Sequence, residues 1–574
     1  MKNQEIAKVF NDIADLLDIK GENPFRIRAY RRAALNIESL TKDVAEMSAK
    51  DLMDIPGIGQ DLAGKIEEYV GTGKIQSYEE LKKDVPEGLG ILLSVPSLGP
   101  KTAKLLSEKL KVKNLTDLER LARGHKLSGL PGIKEKTEEN ILKGIAMLKR
   151  GMERQPLGKV LSIATDILEH LKRKAPVKKI SIAGSIRRWK DTIKDIDILA
   201  TSDDPKAVMH AFVHLPQVKD VLMQGPTKSS LILHEGLQVD LRVVEEESFG
   251  AALAYFTGSK AHNIRLREMA VKEGLRLNEY GIFRVKDEKR LGGKEEKDIY
   301  RILGLPFIPP ELREDTGEIE AALGGRLPKL VHLRDIKGDL HVHTKRSDGS
   351  HDFDELIEAA RTYGYEYIAI TDHSKGLGIA HGLSEERLME EKKEIDALNK
   401  KLKSFKLLAG VEVDIRGDGK MDFPDEILQQ MDIVVASIHS GFRQQRAQIT
   451  QRLVSAMKNP YVSVIAHPTG RLIGERDPYD VDMDEVLRAA KETGTALEIN
   501  AYPLRLDLTD VHVKAAKEMG GQIVISTDTH VTSQFNYMVY GVSIARRGWL
   551  EKSDILNTMG YGALIKALKK KKMA

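Results

Sequence analysis

Asp195 and Asp197 stand two residues apart in KKISIAGSIRRWKDTIKDIDILA, and Asp240 sits among apolar residues in LQVDLRVV. Positions two apart in a strand face the same side, so Asp195 and Asp197 can share a metal ion. Three converging carboxylates of this kind suit two divalent ions, Mg2+ or Mn2+, serving in-line displacement at phosphorus. Upstream, the Gly184-Ser185 turn offers N–H and hydroxyl donors to a chain of phosphates, and Arg187 and Arg188 offer planar cationic forks. An Asp-x-Asp pair alone says little. The ordered set of GS, RR, DxD and a distant strand aspartate is far more specific.

A second constellation lies further along. Of the 16 histidines, ten follow Leu330. Most end an apolar run of strand length, as in GDLHVHTKRSDG, YEYIAITDHS, DIVVASIHS, VSVIAHPTG and GQIVISTDTH, while KLLAGVEVDI ends on acids. His341, His343, Asp348, His373, Glu412, His439, His467, Asp528 and His530 form the ligand-rich set, whereas His332, His351, His381 and His512 read as ordinary core or surface residues. Nine nitrogen and oxygen ligands hold three divalent ions if Glu412 bridges two of them. Imidazole-rich sites favour Mn2+, Zn2+ or Fe2+ over Mg2+. Bridged metals acidify water and clamp phosphate, so phosphoester hydrolysis is the chemistry to expect.

Both sets need scaffolds that aim them. Helical stretches such as FDELIEAARTYG alternate with the histidine-bearing runs, which describes a TIM-like α/β barrel with chemistry at the strand C-termini. Around the aspartates, strands alternate with helices after the linker-like GMERQPLG. The first part of the chain reads as all-helical and repeats one pattern three times: IPGIGQDLAGKI, VPSLGPKTAKLL and LPGIKEKTEENIL. In each, an apolar residue and a turn lead into a helix whose N-terminal N–H groups can donate to a phosphate whatever the base.

Composition sets limits on these readings. With 574 residues, 41% hydrophobic and 31% charged, the chain suits several folded, soluble units rather than a disordered or membrane-embedded protein. Having no cysteine, it excludes disulfides and thiolate metal sites, leaving His, Asp and Glu as ligands. The net charge of +4 permits nucleic-acid binding without demanding it. The lysine-rich end KALKKKKMA is expected to be a solvated, frayed tail. The opening residues read as an amphipathic helix rather than a targeting signal, so the cytoplasm of a bacterium or archaeon is the expected compartment.

These motifs resemble known families. The three repeats resemble helix-hairpin-helix motifs, which implies DNA contacts through Gly57, Gly59 and Gly99; with Lys134 standing where a glycine is usual, the third hairpin is expected to serve either as packing or, through Lys134 itself, as a phosphate contact. The GS/RR/DxD set resembles the nucleotidyltransferase palm. FGAALAYFTGSKAHNIRLREMAVKEG resembles the thumb-side nucleotide pocket of family X DNA polymerases, which implies that Tyr255, Phe256, Gly258 and Asn263 line the incoming nucleotide. Arg267, one helical turn beyond Asn263, falls on the same face as a minor-groove reader. FRIRAYRRAA resembles the family's small lyase-type domain, and Lys65 matches the Schiff-base lysine of its lyase-competent members. A lysine that only touches phosphate is the equal alternative.

The order HxH, D, TDH, E, H, AHP, DTH resembles the PHP (polymerase and histidinol phosphatase) domain. That resemblance implies one metal on His341, His343, Glu412 and Asp528, a second on Glu412, His439 and His467, and a third on Asp348, His373 and His530. The whole chain thus resembles a bacterial or archaeal family X polymerase fused to a PHP domain. The expected bounds are a lyase-like helical domain at 1–85, a fingers-type helical domain at 86–150, an α+β palm at 151–245, a thumb at 246–318, a linker at 319–332 and the barrel at 333–574.

The implied activity is short-gap filling on gapped or nicked double-stranded DNA with dNTPs, by a monomer. The barrel would act on DNA as a 3′–5′ exonuclease, an abasic-site endonuclease or a 3′-phosphatase. Two alternatives stand beside this one. In the first, the barrel is the working enzyme and the first half a DNA-binding platform; in the second, the barrel is a small-molecule phosphatase.

Overall fold

The apolar runs of the histidine-rich half become strands buried on both faces, as a parallel sheet covered by helices requires. In the computed structural model, Gly338–Val342, Tyr367–Ile370, Lys406–Asp414, Ile433–Ser437, Val464–Ile465, Ala496–Asn500 and Ile523–Ser526 pair in parallel in chain order. Helices return the chain between them, from Phe353–Thr362 to Asp510–Met519, and Met538–Arg547 follows the last strand. Past the first and last strands, His343 N donates to Thr529 O at 2.8 Å and Thr529 N to His341 O at 3.2 Å. Among the described residues the sheet therefore closes into a distorted seven-stranded barrel.

Alternate side chains along each strand divide between two cores. Val342, Ile368, Ile370, Val411 and Ile499 pack under the outer helices. Leu340, Tyr367, Leu408, Val435, Val464 and Val524 form a separate inner set. Leu564 and Leu568 of the terminal helix Tyr561–Lys572 join that inner set, and the Tyr367 hydroxyl donates to Met559 O at 2.8 Å. The expectation of a frayed, solvated tail is thereby corrected up to Lys572: its apolar positions are buried against the barrel floor. Lys571 Nζ reaches Asn459 O at 3.0 Å, and burial pulls its pKa down to about 8. The tail misleads in sequence because its lysines outnumber the two leucines that decide its fate.

The structure describes residues 2–20, 22–38, 44–53, 55, 57–84, 92, 95, 98, 100–112, 114–127, 130, 133, 137–138, 141–142, 144–145 and 154–572. They fall into two units, one of 1–153 with 212–240 and a larger one of 154–211 with 241–574. Besides the barrel, the larger unit holds the helix Leu157–Lys174 and the antiparallel pair Lys179–Ile182 and Asp195–Thr201. It also contains the helices Phe249–Thr257 and Lys260–Lys272 beside a small antiparallel sheet of Leu275–Asn278, Gly281–Arg284 and Arg290–Gly292.

The stretch expected as a linker is packed at its two ends, while residues 323–326 between them are exposed. Ile319 and Ala322 of Glu318–Leu323 lie in one core with Leu266, Ile282 and Tyr300. Further on, Val331 N donates to Leu550 O at 3.0 Å.

Among the described residues of the smaller unit, the regular elements up to residue 145 are helices, and the antiparallel strands Val218–Gln224 and Lys228–Leu233 follow. Its three repeats share one turn bond: Ile58 N donates to Ile55 O, Leu98 N to Val95 O and Ile133 N to Leu130 O, each at 3.0 Å. Gly57 adopts φ +82°, a left-handed conformation that side chains disfavour, and an added Cβ would lie 3.0 Å from Arg32 Cδ. Gly59 caps the helix Gln60–Thr72. Gly99, Lys134 and the expected domain start at Gly151 lie outside the described residues.

Candidate active sites

At the barrel mouth the ligand-rich residues stand at strand ends, where side chains from neighbouring strands meet. Pairing register shifts between Asp339 and Val342, and past that irregularity the His341 and His343 rings lie 5.1 Å apart, both fully buried. Glu412, near the end of Lys406–Asp414, is the hub. Its Oε2 lies 3.4 Å from His341 Nε2, 3.6 Å from His343 Nε2 and 2.9 Å from His373 Nδ1. Its Oε1 lies 3.3 Å from His439 Nε2 and 3.1 Å from His467 Nε2. Asp528 Oδ1 is 3.2 Å from His343 Nε2, and Asp348 Oδ2 lies 3.4 Å from His373 Nε2 and 3.3 Å from His530 Nε2. His467 and Asp528 present these side chains from left-handed backbone, φ +30° and +56°, the kind of strain that gathers at functional sites.

Three groupings have ligand atoms close enough together to hold an ion: His343, Asp348, His373 and His530; His341, His343 and Asp528; and His373, Glu412 and His439. The donor set fits divalent metals on a further observation. His341 Nε2, both nitrogens of His343 and His373 Nδ1 are buried without a hydrogen-bond partner, although carboxylates lie close by. Such orphaned nitrogens are costly unless something with the right geometry, such as a cation, takes their lone pairs.

The electrostatics are those of carboxylates drawing positive charge inward. Burial opposes it, yet Glu412 and Asp348 push His373 up to about 10, and Asp348 with Asp528 pushes His530 up to about 9. His343 goes the other way, down to about 4, through burial and its histidine neighbours. Against burial, the surrounding imidazoles hold Glu412 well below the usual carboxylate range.

Several residues that orient these ligands escaped the sequence reading. Glu498, fully buried in Ala496–Asn500, accepts from His341 Nδ1 and His467 N, both at 2.8 Å. Asn500 Nδ2 bridges Glu498 at 3.2 Å and Asp528 at 3.1 Å. Asp414 accepts from His439 N at 3.1 Å, and Asp372 from Thr344 N and Ser347 Oγ, each at 2.7 Å. A glutamate inside the apolar run ALEIN was the available signal for Glu498. Arg505, whose Nε is 3.6 Å from Asp528 Oδ2, adds a partly exposed guanidinium at the mouth.

The acids of the other set are arranged differently. Asp195 and Asp197 share the half-buried face of Asp195–Thr201, while Ile196 and Ile198 point into the core. Gly184 is required there: it has φ +61°, and an added Cβ would lie 2.3 Å from Asp197 Oδ2. Asp240, on Gln238–Val243, belongs to the smaller unit; its carboxylate oxygens accept from Gln238 Nε2 at 3.2 and 3.3 Å.

Arg187 and Arg188, expected as a pair of phosphate-facing forks, part company. Arg187 forks onto Glu296 through two bonds of 2.7 Å and donates to Thr257 Oγ1 at 2.6 Å, so protein groups take its guanidinium. Arg313 joins the same carboxylate at 2.6 Å. Arg188 donates through Nε to Glu314 Oε1 at 3.0 Å and through Nη1 to Thr257 O, beside Gly258. Ser185 O accepts from Lys190 N at 3.1 Å, closing the turn.

Tyr255, Asn263 and Arg267 line one pocket with Asn278 and Leu277. Asn263 Nδ2 donates to Tyr255 O at 2.6 Å, and the Arg242 guanidinium lies over the Phe256 ring at 4.5 Å. In the smaller unit, Lys65 pairs with Asp61 one turn before it on the same helix.

Known families match along this layout: a helix-hairpin-helix domain at 1–75, a SAM-like helix-hairpin-helix tandem at 89–146, a DNA polymerase beta thumb at 252–314 and a PHP domain at 339–502. A probable phosphatase of Thermoanaerobacter sp. (strain X514) is 31% identical over 248 residues, 41% of this chain and 95% of its own length. DNA polymerase lambda of Rattus norvegicus is 25% identical over 342 residues, 54% of this chain and 56% of its own. The DNA polymerase/3′-5′ exonuclease PolX of Bacillus subtilis (strain 168) is 43% identical over 559 residues, 97% of either chain. With helical hairpins, polymerase thumb and metal-ligating barrel all matched in that order, the chain belongs to the family X DNA polymerases that carry a C-terminal PHP domain.

Proposed function

We propose that this protein fills short gaps in damaged DNA with its polymerase domain and trims 3′ ends with its barrel, as a monomer in the cytoplasm. The observation that carries this reading is the end-to-end likeness to a polymerase/3′-5′ exonuclease on a chain that keeps both acid sets. The helical hairpins at 1–150 would grip gapped or nicked DNA through Gly57, Gly59, Gly99 and Lys134. The palm at 151–245 and thumb at 246–318 would handle the dNTP, and the barrel from 333 the hydrolysis.

Asp195, Asp197 and Asp240 would hold Mg2+ or Mn2+, and the nine barrel ligands three ions among Mn2+, Zn2+ and Fe2+, with Glu412 shared. When bound, such ions supply Lewis acidity and lower the pKa of water.

The chain's own groups do the rest. Glu498 would fix the ring and tautomer of His341, leaving Nε2 as the ligating atom. Arg505 would meet a phosphate oxygen of the 3′ end. Arg188, Ser185 and Gly184 would meet the triphosphate, with Arg187 holding the turn's shape through Glu296. Tyr255, Phe256, Gly258 and Asn263 would line the nucleotide, and Arg267 read the new pair. Lys65, paired with Asp61, would serve as a phosphate contact or, as the equal alternative, as a Schiff-base lysine.

The test follows a labelled primer on one-nucleotide-gapped DNA with Mn2+, with and without dNTPs. Asp195→Ala with Asp197→Ala should abolish extension alone, and His341→Ala with His343→Ala shortening alone. A wild-type protein that never extends the primer overturns the polymerase reading and puts the DNA-platform reading in its place. A second reading, a small-molecule phosphatase, draws on the barrel's likeness to probable phosphatases. Phosphate release from a small ester that outpaces nucleotide release from DNA would favour it.

A further inference from the structure

We propose that the PHP barrel is a working part of the polymerase site: Arg547, at the end of the barrel helix Met538–Arg547, is a positioning residue that holds the phosphate-binding Arg188. The inference rests on the reading of Arg188 as a triphosphate ligand. Arg547 is almost fully buried. Its Nη1 donates to Arg188 O at 2.7 Å and to Glu314 Oε1 at 3.1 Å, and its Nη2 donates to Asp510 Oδ2 at 2.5 Å. The Glu314 oxygen that receives Arg547 also receives Arg188 Nε at 3.0 Å. One carboxylate thus joins a barrel arginine to a palm arginine far away in the chain.

Two further barrel contacts seize the same turn. The Trp189 ring, on left-handed backbone of φ +56°, meets the edge of Tyr540 at 6.1 Å. Asp191 Oδ2 accepts from Arg471 Nη1 at 2.9 Å. Nearby, Gly158 lies so close to Pro503 that an added Cβ would stand 2.5 Å from the proline's own Cβ. Residues 188, 189 and 191 are therefore each held by the barrel, immediately after the Gly184-Ser185 donors.

This arrangement has a clear physical use. A guanidinium contributes most to phosphate binding when its fork is oriented before the ligand arrives, because less freedom is then lost. Anchoring Arg188 at Nε, at Nη1 and at its carbonyl leaves Nη2 as the edge that no described residue takes. Burial alone would push the Glu314 carboxyl up; Lys190, Arg188 and Arg547 instead hold it at about 2, so the anchor stays charged. Asp510 does for Arg547 what Arg547 does for Glu314.

The test uses the full chain on one-nucleotide-gapped DNA, reading KM for dNTP, kcat and 3′-end shortening from the same preparations. Arg547→Met should raise KM for dNTP about tenfold, with kcat and shortening each within about threefold of wild type, and Arg547→Lys should recover most of the loss. A KM within about twofold of wild type for Arg547→Met, with shortening intact, overturns the proposal. If Arg547→Met loses shortening as well and has not folded, Glu314→Gln decides. It leaves an oxygen for Arg188 Nε but removes the charge joining the two arginines, so a raised KM supports the link and an unchanged one overturns it. Arg188→Met separates the layers: an unchanged KM there sinks the triphosphate reading itself, whereas a raised KM beside a silent Arg547→Met sinks only the barrel's part.

Discussion

The barrel mouth and the Gly184–Arg188 turn both gather charge, but they satisfy it in opposite ways. At the mouth, imidazole nitrogens are buried beside carboxylates yet left without hydrogen bonds, and the whole set is carried by strand ends of one closed sheet. At the turn, guanidinium groups are tied to protein: Arg187 by Glu296 and Thr257 at both ends of its fork, and Arg188 by Glu314 and a carbonyl at Nε and Nη1. The first is a donor set suited to cations and arranged by the barrel scaffold. The second borrows its order from ion pairs reaching across the fold. A metal-ligand set can thus be local to one domain, whereas an arginine-bearing turn of this kind depends on whatever packs behind it.

The sharpest way to break the comparison is at Glu412, the carboxylate shared by five imidazoles. Glu412→Ala should slow 3′-end shortening by about 1000-fold, equivalent to about 4 kcal/mol at the barrier, while primer extension stays near wild type. Loss of extension to the same degree would mean that the two sites are not separable.

Next in size is the acid sensitivity of the Glu296 ion pair with Arg187 and Arg313. Burial alone would raise the Glu296 carboxyl, but Arg187 and Arg313 hold it at about 2. A depressed carboxylate contributes stability that is complete above its ordinary value near 4.5 and is lost as pH falls toward 2. The contribution is on the order of 3 kcal/mol. Urea melts of Glu296→Gln should therefore show lower stability than wild type at pH 7 and a shallower decline between pH 5 and 3. Parallel declines in the two proteins would remove the pair from the account.

A smaller effect is expected at Glu498, which touches no ligand atom that faces the centre but holds the back of His341. Glu498→Gln should weaken metal-supported shortening by roughly 10–100-fold, recoverable in part by more Mn2+, as for other residues that orient ligands. A deficit indifferent to metal concentration would indicate a folding defect instead.

The smallest effect concerns the first hairpin. Gly57→Ala places a side chain at φ +82° against Arg32, at a cost of about 1 kcal/mol, and should lower affinity for gapped DNA by about fivefold regardless of sequence. A loss confined to particular sequences would argue against a backbone grip.

Much of this was legible in the chain. His341, His343, His373, His439, His467 and His530 each follow an apolar run, and a run of strand length ending in a ligand type is a local pattern that survives folding. The three hairpins announce themselves by repetition, and their shared turn bond has a purely local cause. The tail Tyr561–Lys572 was not legible, because two leucines among lysines count for nothing until a barrel floor exists to receive them.

The sequence by itself determined most element types, the barrel class and the identity of the groups able to bind metal, since these follow from periodicity and chemistry within short windows. Tertiary structure decided which groups face which. It split Glu412 between two sets of imidazoles, set Glu498 behind His341, turned Arg187 onto Glu296 and brought Arg547 to Arg188. Each of those pairings joins residues distant in the chain, and the partner of a buried charge is set by the packing that excludes water from both.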